Sequence, residues 1–253
     1  SNDTPGSSFE LRLAVKAGGL HQDPIDSGIA HFVEHMAFQG TEHFPGNELM
    51  EALERMGFET GGADVNAFTS CDVTVYQFSA NGQENLRLAL DILDDIASAA
   101  TFSSEQMDTE RGVILEEARY GDTAAGMRQQ AFSNLYRAGS IYEGCDVLGS
   151  KEKILTVRST DLRDFYDRWY RPDLMAVIVV GDLPADKLES EIVNRFADNP
   201  PGEGTTEEIR PSGQMRNEPV FEIFTHPEGE LPFIPVDFTL PTWDMGTVGG
   251  QSA

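Results

Sequence analysis

This 253-residue chain has few basic residues, only two cysteines and no long apolar run. Each of these features excludes or disfavours some classes of protein. No apolar run approaches the roughly 18 residues of a membrane-spanning helix, so no membrane span is expected. Its 18 basic residues face 43 acidic ones, and the net charge of −25 argues against nucleic acid and anionic membrane surfaces as partners. The acidic balance is typical of a salt-adapted or an extracytoplasmic protein, and of these a periplasmic or other extracytoplasmic location is favoured. The two cysteines, Cys71 and Cys145, have no metal-ligand spacing and neither require nor exclude an oxidising compartment.

The most informative segment is the string His-Phe-Val-Glu-His at residues 31–35. On a helix, His31 and His35 lie one turn apart on the same face, where two imidazoles can hold one metal ion, usually zinc. Glu34 lies beside them, and its carboxylate can accept a proton from water that the ion activates. Chance would place roughly 0.01 such matches in a chain of this composition. The pattern is the inverzincin signature, which favours a zinc site over histidines that merely decorate an amphipathic helix.

The helix that carries this string is predicted from its flanking residues and its apolar spacing. Pro24 and Asp26–Ser27 supply start signals, and Gly40–Thr41 supplies a break after the last apolar residue. Between them, apolar residues occupy nearly every side of the helix. This distribution predicts a helix that is buried on most of its surface, with the histidine pair facing a cavity.

A catalytic zinc site generally takes three ligands from the protein. The remaining histidines stand alone in predicted loops or strand ends and are expected at the surface: His21, His43 and His226. The stronger candidates lie in the predicted helix 104–120, where Glu110 and Glu117 are two turns apart on one face. Such a pair can supply one ligand and one carboxylate that orients a histidine. The same spacing fits a solvated acidic face, so spacing alone leaves both readings open.

Beyond these motifs, the sequence resembles the pitrilysin/insulinase family of zinc peptidases. Blocks in the family's order extend over residues 9–182: Ser-Gly-Ile-Ala-His-Phe-Val-Glu-His-Met-Ala-Phe-Gln-Gly-Thr (27–41), Gly-Ala-Asp-Val-Asn-Ala-Phe-Thr-Ser (62–70) with Thr-Val-Tyr (74–76), Glu-Arg-Gly-Val-Ile-Leu-Glu-Glu (110–117), and Phe-Tyr (165–166), Trp-Tyr-Arg-Pro (169–172) and Val-Gly-Asp (180–182). The resemblance is greatest to the N-terminal catalytic half of large bacterial periplasmic members.

The resemblance implies a role for each residue of the site. His31 and His35 match the family's two zinc-binding histidines, and Glu117 matches its third ligand. Glu34 matches the general base of peptide hydrolysis. Glu110 matches an acidic residue that supports the site without binding the metal. The implied cofactor is Zn²⁺.

The resemblance also implies how substrate binds. Asn66 and Ala67 match a strand segment against which a peptide lies as an additional strand. In the family, a second homologous half of the same protein, or a dimer partner, closes over the zinc half and contributes an Arg–Tyr pair. No such pair is identifiable in this chain. The segment 18–22, Gly-Gly-Leu-His-Gln, departs from the family's Gly-Ser-x-x-Glu.

Hydrophobic periodicity predicts an α+β fold, a mainly antiparallel sheet with helices packed on one face. The strands expected in the first part of the chain are 9–16, 62–69, 72–79 and 174–181. The expected helices are 27–38, 47–56, 82–99, 104–120, 124–138, 150–156, 159–170 and 184–197.

We expect three regions along the chain. Residues 1–197 form the zinc-binding catalytic domain, and 198–217 form a linker rich in proline and glycine. Residues 218–253, with strands near 219–225 and 234–240, begin a second half-domain or form a tail. Both ends look truncated, because Ser1-Asn2 resembles a tag remnant and no signal peptide precedes Phe9.

Together these features predict a zinc-dependent endopeptidase that cleaves peptides or small unfolded proteins. The alternative is a zinc-binding, non-catalytic subunit that captures peptides or has a structural role and needs another domain or chain for activity. Family members without catalysis typically lose the metal motif. Here the string 31–35 and the block 110–117 are both complete, which favours the enzyme.

Overall fold

The computed structural model describes residues 8–23, 27–57, 65–197 and 199. The strands among them are β1 (Ser8–Val15), β2 (Val65–Thr69), β3 (Thr74–Asn81) and β4 (Met175–Gly181). The helices among them are α1 (Ile29–Ala37), α2 (Glu48–Arg55), α3 (Gln83–Ser98), α4 (Ser104–Gly121), α5 (Ala124–Arg137), α6 (Lys151–Thr156), α7 (Ser159–Trp169) and α8 (Ala185–Phe196). None of these helices is both long enough and apolar enough to cross a membrane.

The α+β prediction is confirmed, and each predicted element that falls on described residues is present with its ends shifted by at most two residues. Residues 62–64 of the predicted strand 62–69 lie outside the described residues. So do the predicted linker, except Asn199, and the predicted C-terminal region with its two strands: 198–217, 218–253, 219–225 and 234–240.

The strands of the described residues form one antiparallel sheet in the order β2-β3-β1-β4. β1 lies in the interior, where Leu11 is paired with Phe78 of β3 and with Val179 of β4. β2 is paired only with β3 in this part of the chain, with Asn66 opposite Gln77. One side of β2 is therefore an edge of the described sheet.

Alternation along β1 determines which face of the sheet is buried. Phe9, Leu11, Leu13 and Val15 are buried, and Glu10 and Arg12 between them are exposed. Helix α3 packs on β1 and β3, α8 packs against α3, and α1 contacts β2 and α7. Full burial of a leucine or phenylalanine side chain contributes about 1.5–3 kcal/mol. This packing holds α1, which carries the 31–35 string, against β2.

The chain divides into two compact units, one with residues 1–118 and 145–208 and the other with residues 119–144 and 209–253. The sheet belongs to the first unit. The described part of the second unit contains the end of α4 and all of α5. Thr123 caps α5, because its Oγ1 accepts a hydrogen bond from the Gly126 amide at 3.1 Å.

Candidate metal centre

Helix α1 begins at a close contact between two backbone segments. Gly28 precedes the helix with a φ of +93°, in the left-handed region that favours glycine. A Cβ added to Gly28 would lie 2.7 Å from the carbonyl oxygen of Leu148. The segment around Leu148 therefore rests on the first turn of α1. One turn apart on this helix, the rings of His31 and His35 have their centroids 4.6 Å from each other.

Glu117 of α4 joins the two imidazoles in a cluster of potential metal ligands. Its Oε2 lies 3.5 Å from Nε2 of His31 and 3.5 Å from Nε2 of His35. One ligand atom from each residue lies within 4.8 Å of the other two. Ligands at about 2.0–2.2 Å from a tetrahedral zinc ion are about 3.4 Å apart, so these residues fit zinc. Two histidines and one glutamate are also a known ligand set of catalytic zinc.

Glu110 contacts the opposite nitrogen of the His35 ring. Its Oε2 lies 3.1 Å from Nδ1 of His35, and its Oε1 accepts a hydrogen bond from Nε2 of Gln39 at 2.5 Å. The Glu110 side chain is buried. By holding Nδ1, it leaves Nε2 of His35 on the side of Glu117. The structure thus separates the two glutamates that sequence spacing could not distinguish.

The two imidazoles have different electrostatic surroundings. Burial and the neighbouring His35 lower the pKa of His31 to about 4. Burial also lowers the pKa of His35, but hydrogen bonds to Glu110 and Glu117 outweigh it and raise that pKa to about 10. The hydrogen bond with His35 lowers the pKa of Glu117, which stays ionised. His31 is therefore the neutral imidazole that can bind a metal ion, and Glu117 supplies a negative charge beside it.

Glu34 faces the same pocket. Its side chain is buried, and burial raises the pKa of its carboxyl. The hydroxyl of Thr69, at the end of β2, donates a hydrogen bond to Glu34 Oε2 at 2.7 Å. The pocket has a volume of about 440 Å³ and is lined by His31, Glu34, His35, Ala67, Phe68, Thr69, Glu117, Val147 and Leu148.

The two residues expected to bind substrate lie on the edge strand β2. Ala67 lines the pocket, whereas Asn66 lies next to it on the strand and is exposed. Both are paired with β3 on one side, opposite Tyr76 and Gln77. The edge strand β2 therefore borders the pocket that is lined by the histidine pair and Glu34.

Some features of the site have no signal in the sequence. A disulfide joins Cys71 and Cys145, whose Cα atoms are 6.1 Å apart although 74 positions separate them. It connects the residues after β2 to the segment that contains Val147 and Leu148, which line the pocket. Cysteines without a recognisable spacing pattern do not reveal their pairing in a sequence.

Of the histidines that were expected at the surface, His43 is exposed, whereas His21 is partly buried. Both have partners other than the proposed metal ligands. Nδ1 of His21 accepts a hydrogen bond from the Gly18 amide, and its ring meets Trp169 edge-on. Nδ1 of His43 lies 2.8 Å from Oδ1 of Asp95. The third, His226, lies outside the described residues.

The sequence matches known family models over most of its length. Residues 1–145, more than half of the chain, match the model described as Insulinase (Peptidase family M16). The chain belongs to peptidase family M16, the insulinase family. Residues 156–244 of this M16 chain match a second model, described as Peptidase M16 inactive domain. The family resemblance predicted from the sequence blocks is confirmed.

Curated relatives of this M16 chain include proteins described as "Probable zinc protease PqqL". The Escherichia coli protein is 35% identical over 239 residues, which cover 94% of this chain and 26% of that protein. The Haemophilus influenzae protein is 36% identical over 211 residues, covering 82% and 23%. The M16 chain thus spans about a quarter of the length of these relatives.

A solved structure of the first half of the periplasmic protease PqqL from Escherichia coli is similar to this M16 chain. The two superpose with a TM-score of 0.78 at 36% sequence identity, over 84% of this chain and 46% of that chain. The structure of the whole periplasmic protease PqqL superposes with a TM-score of 0.77, covering 83% of this chain and 23% of that one.

Proposed function

We propose that this chain is the catalytic part of a zinc-dependent endopeptidase that hydrolyses peptides or small unfolded proteins. One observation carries the proposal: Glu34 shares a pocket with His31, His35 and Glu117 at the edge of β2. The similarity to proteins described as zinc proteases supports it.

In this proposal, His31, His35 and Glu117 hold the Zn²⁺ ion. Their 3.5 Å separations and their chemistry suit that ion. Glu110 keeps Nε2 of His35 available by binding Nδ1. When bound, zinc supplies Lewis acidity, which makes water nucleophilic near neutral pH and polarises the scissile carbonyl.

Glu34 is the proposed general base. Its carboxylate accepts a proton from the attacking water and then donates that proton to the nitrogen of the leaving amine. A group that acts as base and then as acid works best when its pKa lies near the working pH. Burial moves the pKa of Glu34 upward, in that direction.

We propose that substrate adds to β2 as a further strand at Asn66 and Ala67. Backbone groups on the edge of a sheet can hydrogen-bond an extended peptide with little regard for its sequence. Ala67 lies in the lining of the pocket, so a peptide on this edge passes Glu34 and the proposed ligands. This arrangement suits an enzyme that accepts peptides of varied sequence.

We also propose an extracytoplasmic location and a further domain. The disulfide between Cys71 and Cys145 is typical of proteins in oxidising compartments, and the similar PqqL structure is described as periplasmic. The chain covers 23–26% of its PqqL relatives. A second homologous half, in the same protein or in a dimer partner, would then enclose the substrate.

The test measures zinc content and cleavage of quenched fluorescent peptides in the longest natural polypeptide that contains this sequence. Glu34→Gln is expected to keep zinc and to lose at least about 100-fold in turnover, since it removes the base. His31→Ala and Glu117→Ala are expected to lower zinc content. Glu116→Gln, a change of the same kind at the exposed neighbour of Glu117, is the control. It is expected to keep both the zinc content and the rate of peptide cleavage.

The outcomes separate the proposed enzyme from its alternatives. Cleavage by Glu34→Gln at nearly the unmodified rate would refute the assignment of the base. Zinc binding without cleavage would favour a peptide-capture module, and the absence of both would favour a structural relative. Either of the last two results would contradict the endopeptidase proposal.

A further inference from the structure

We propose that Thr69 is a positioning residue that holds Glu34 in its catalytic orientation, so that the strand that binds substrate also orients the base. The proposal rests on the proposed function. Its central observation is the hydrogen bond from Thr69 Oγ1 to Glu34 Oε2, at 2.7 Å.

Glu34 depends on this bond because its surroundings offer little else to hold the carboxylate. The side chain is 6% exposed, and the described residues provide Thr69 as its hydrogen-bond partner. Rotation about the last bond of a glutamate side chain has no sharp preference, so hydrogen bonds decide the orientation of the carboxylate. With Oε2 held by Thr69, Oε1 is the oxygen that remains for the proton of water.

Thr69 is itself held firmly enough to act in this way. It is the last residue of β2 and is paired with Thr74 of β3. The hydroxyl of Thr74 is buried and donates to the carbonyl oxygen of Ala17 at 2.9 Å, which fixes the partner strand at this point. A β-branched side chain also has few rotamers. The single proton of the Thr69 hydroxyl is directed to Glu34.

This placement connects substrate binding to the base within one strand. Ala67 and Thr69 are two positions apart on β2, so their side chains point to the same face of the sheet. Both line the pocket. A peptide bound along β2 is thereby placed in a defined position relative to the oxygen that Thr69 directs.

The experiment compares Thr69→Val with Thr69→Ser in the longest natural polypeptide that contains this sequence. Valine has nearly the shape of threonine and suits a strand but lacks the hydroxyl. Thr69→Val is expected to lower kcat at least about tenfold, with KM and zinc content within about twofold of the unmodified protein. Thr69→Ser is expected to recover most of that loss. Thr156→Val is the control, because the Thr156 hydroxyl bonds to carbonyls of its own helix.

A second readout does not require activity. Thermal unfolding is measured for Thr69→Val, for Glu34→Met, which removes both carboxylate oxygens, and for the double variant. If the hydroxyl and the carboxylate interact, the decreases in midpoint are expected to be non-additive.

Several results would overturn the proposal. Unmodified kcat in Thr69→Val would show that the hydroxyl is not needed. Equal losses in Thr69→Val and Thr69→Ser would show that a hydroxyl at this position does not by itself orient Glu34. A loss of zinc would show that the substitution disturbs the metal site instead. If the decreases in midpoint of the two single variants added up to that of the double variant, the hydroxyl and the carboxylate would not interact. If the unmodified protein cleaved no peptide, the proposed function itself would be refuted, and so would this proposal, which rests on it.

Discussion

Glu110→Gln is expected to weaken zinc binding although Glu110 is not a proposed ligand. The Glu110 carboxylate accepts from two donors, Nδ1 of His35 through Oε2 and Nε2 of Gln39 through Oε1. A glutamine at this position has a single acceptor oxygen. One of the two donors must then face an amide N–H₂ group unless Gln39 turns over, and His35 loses its charged partner in either case.

The size of the effect follows from what Glu110 does for His35. Loss of a carboxylate that orients a metal-binding histidine typically lowers metal affinity about 10- to 100-fold. A change of that size corresponds to about 1.4–2.8 kcal/mol. Burial of Glu110 favours the upper part of this range, because water cannot easily replace the lost hydrogen bond. Rotation of the Gln39 amide would favour the lower part.

The assay is a competition between the protein and a chromophoric chelator, which gives the dissociation constant of zinc. Glu105→Gln removes the same charge from the exposed first turn of α4 and is the control. Its zinc affinity is expected to stay within about twofold of the unmodified protein, because exposed charges interact weakly. If Glu110→Gln bound zinc as tightly as that control, the proposed role of Glu110 in orienting His35 would be refuted.

Replacing both Cys71 and Cys145 by serine is expected to lower the free energy of unfolding by about 4 kcal/mol, since their link closes a loop with a separation of 74 positions. Denaturant titration would measure this. The hydrogen bond to Asp95 raises the pKa of His43. The stabilisation that the protonated His43 provides is therefore complete below about pH 6.5 and is lost as pH rises through the raised pKa. His43→Gln should therefore lower the melting temperature more at pH 5.5 than at pH 9. Gly28→Ala is expected to cost about 1–3 kcal/mol, because φ is +93° and a Cβ would meet neighbouring backbone.

For each of these three predictions, a particular experimental result would contradict it. Equal unfolding energies for the oxidised protein and the double serine variant would mean that the disulfide contributes nothing. A His43→Gln effect independent of pH would mean that the charge on the imidazole does not matter. Gly112→Ala is the control for Gly28→Ala, because Gly112 lies in α4 with open space around it. If both variants melted alike, the close contact at Gly28 would not constrain the backbone.

Local sequence patterns predicted the secondary structure well because each pattern reports a short-range preference. The alternation of β1 and the end signals of α1 and α4 produce elements whose ends differ from the predicted ones by at most two residues. The sheet order β2-β3-β1-β4 has no comparable local signal. It depends on pairing between segments as distant as β1 and β4, which only the folded chain brings together.

By itself, the sequence determined that His31 and His35 share one helix face with Glu34 beside them, because helical periodicity is a local property. It also placed Glu110 and Glu117 on one helix. Helical spacing did not distinguish these two carboxylates, although the family resemblance implied Glu117 as the ligand. Only the tertiary structure shows which of them meets the imidazoles at 3.5 Å and which binds the far nitrogen of His35. The physical reason is that α1 and α4 meet through packing of the whole core, and a shift of two turns along α4 would put Glu110 in the place of Glu117.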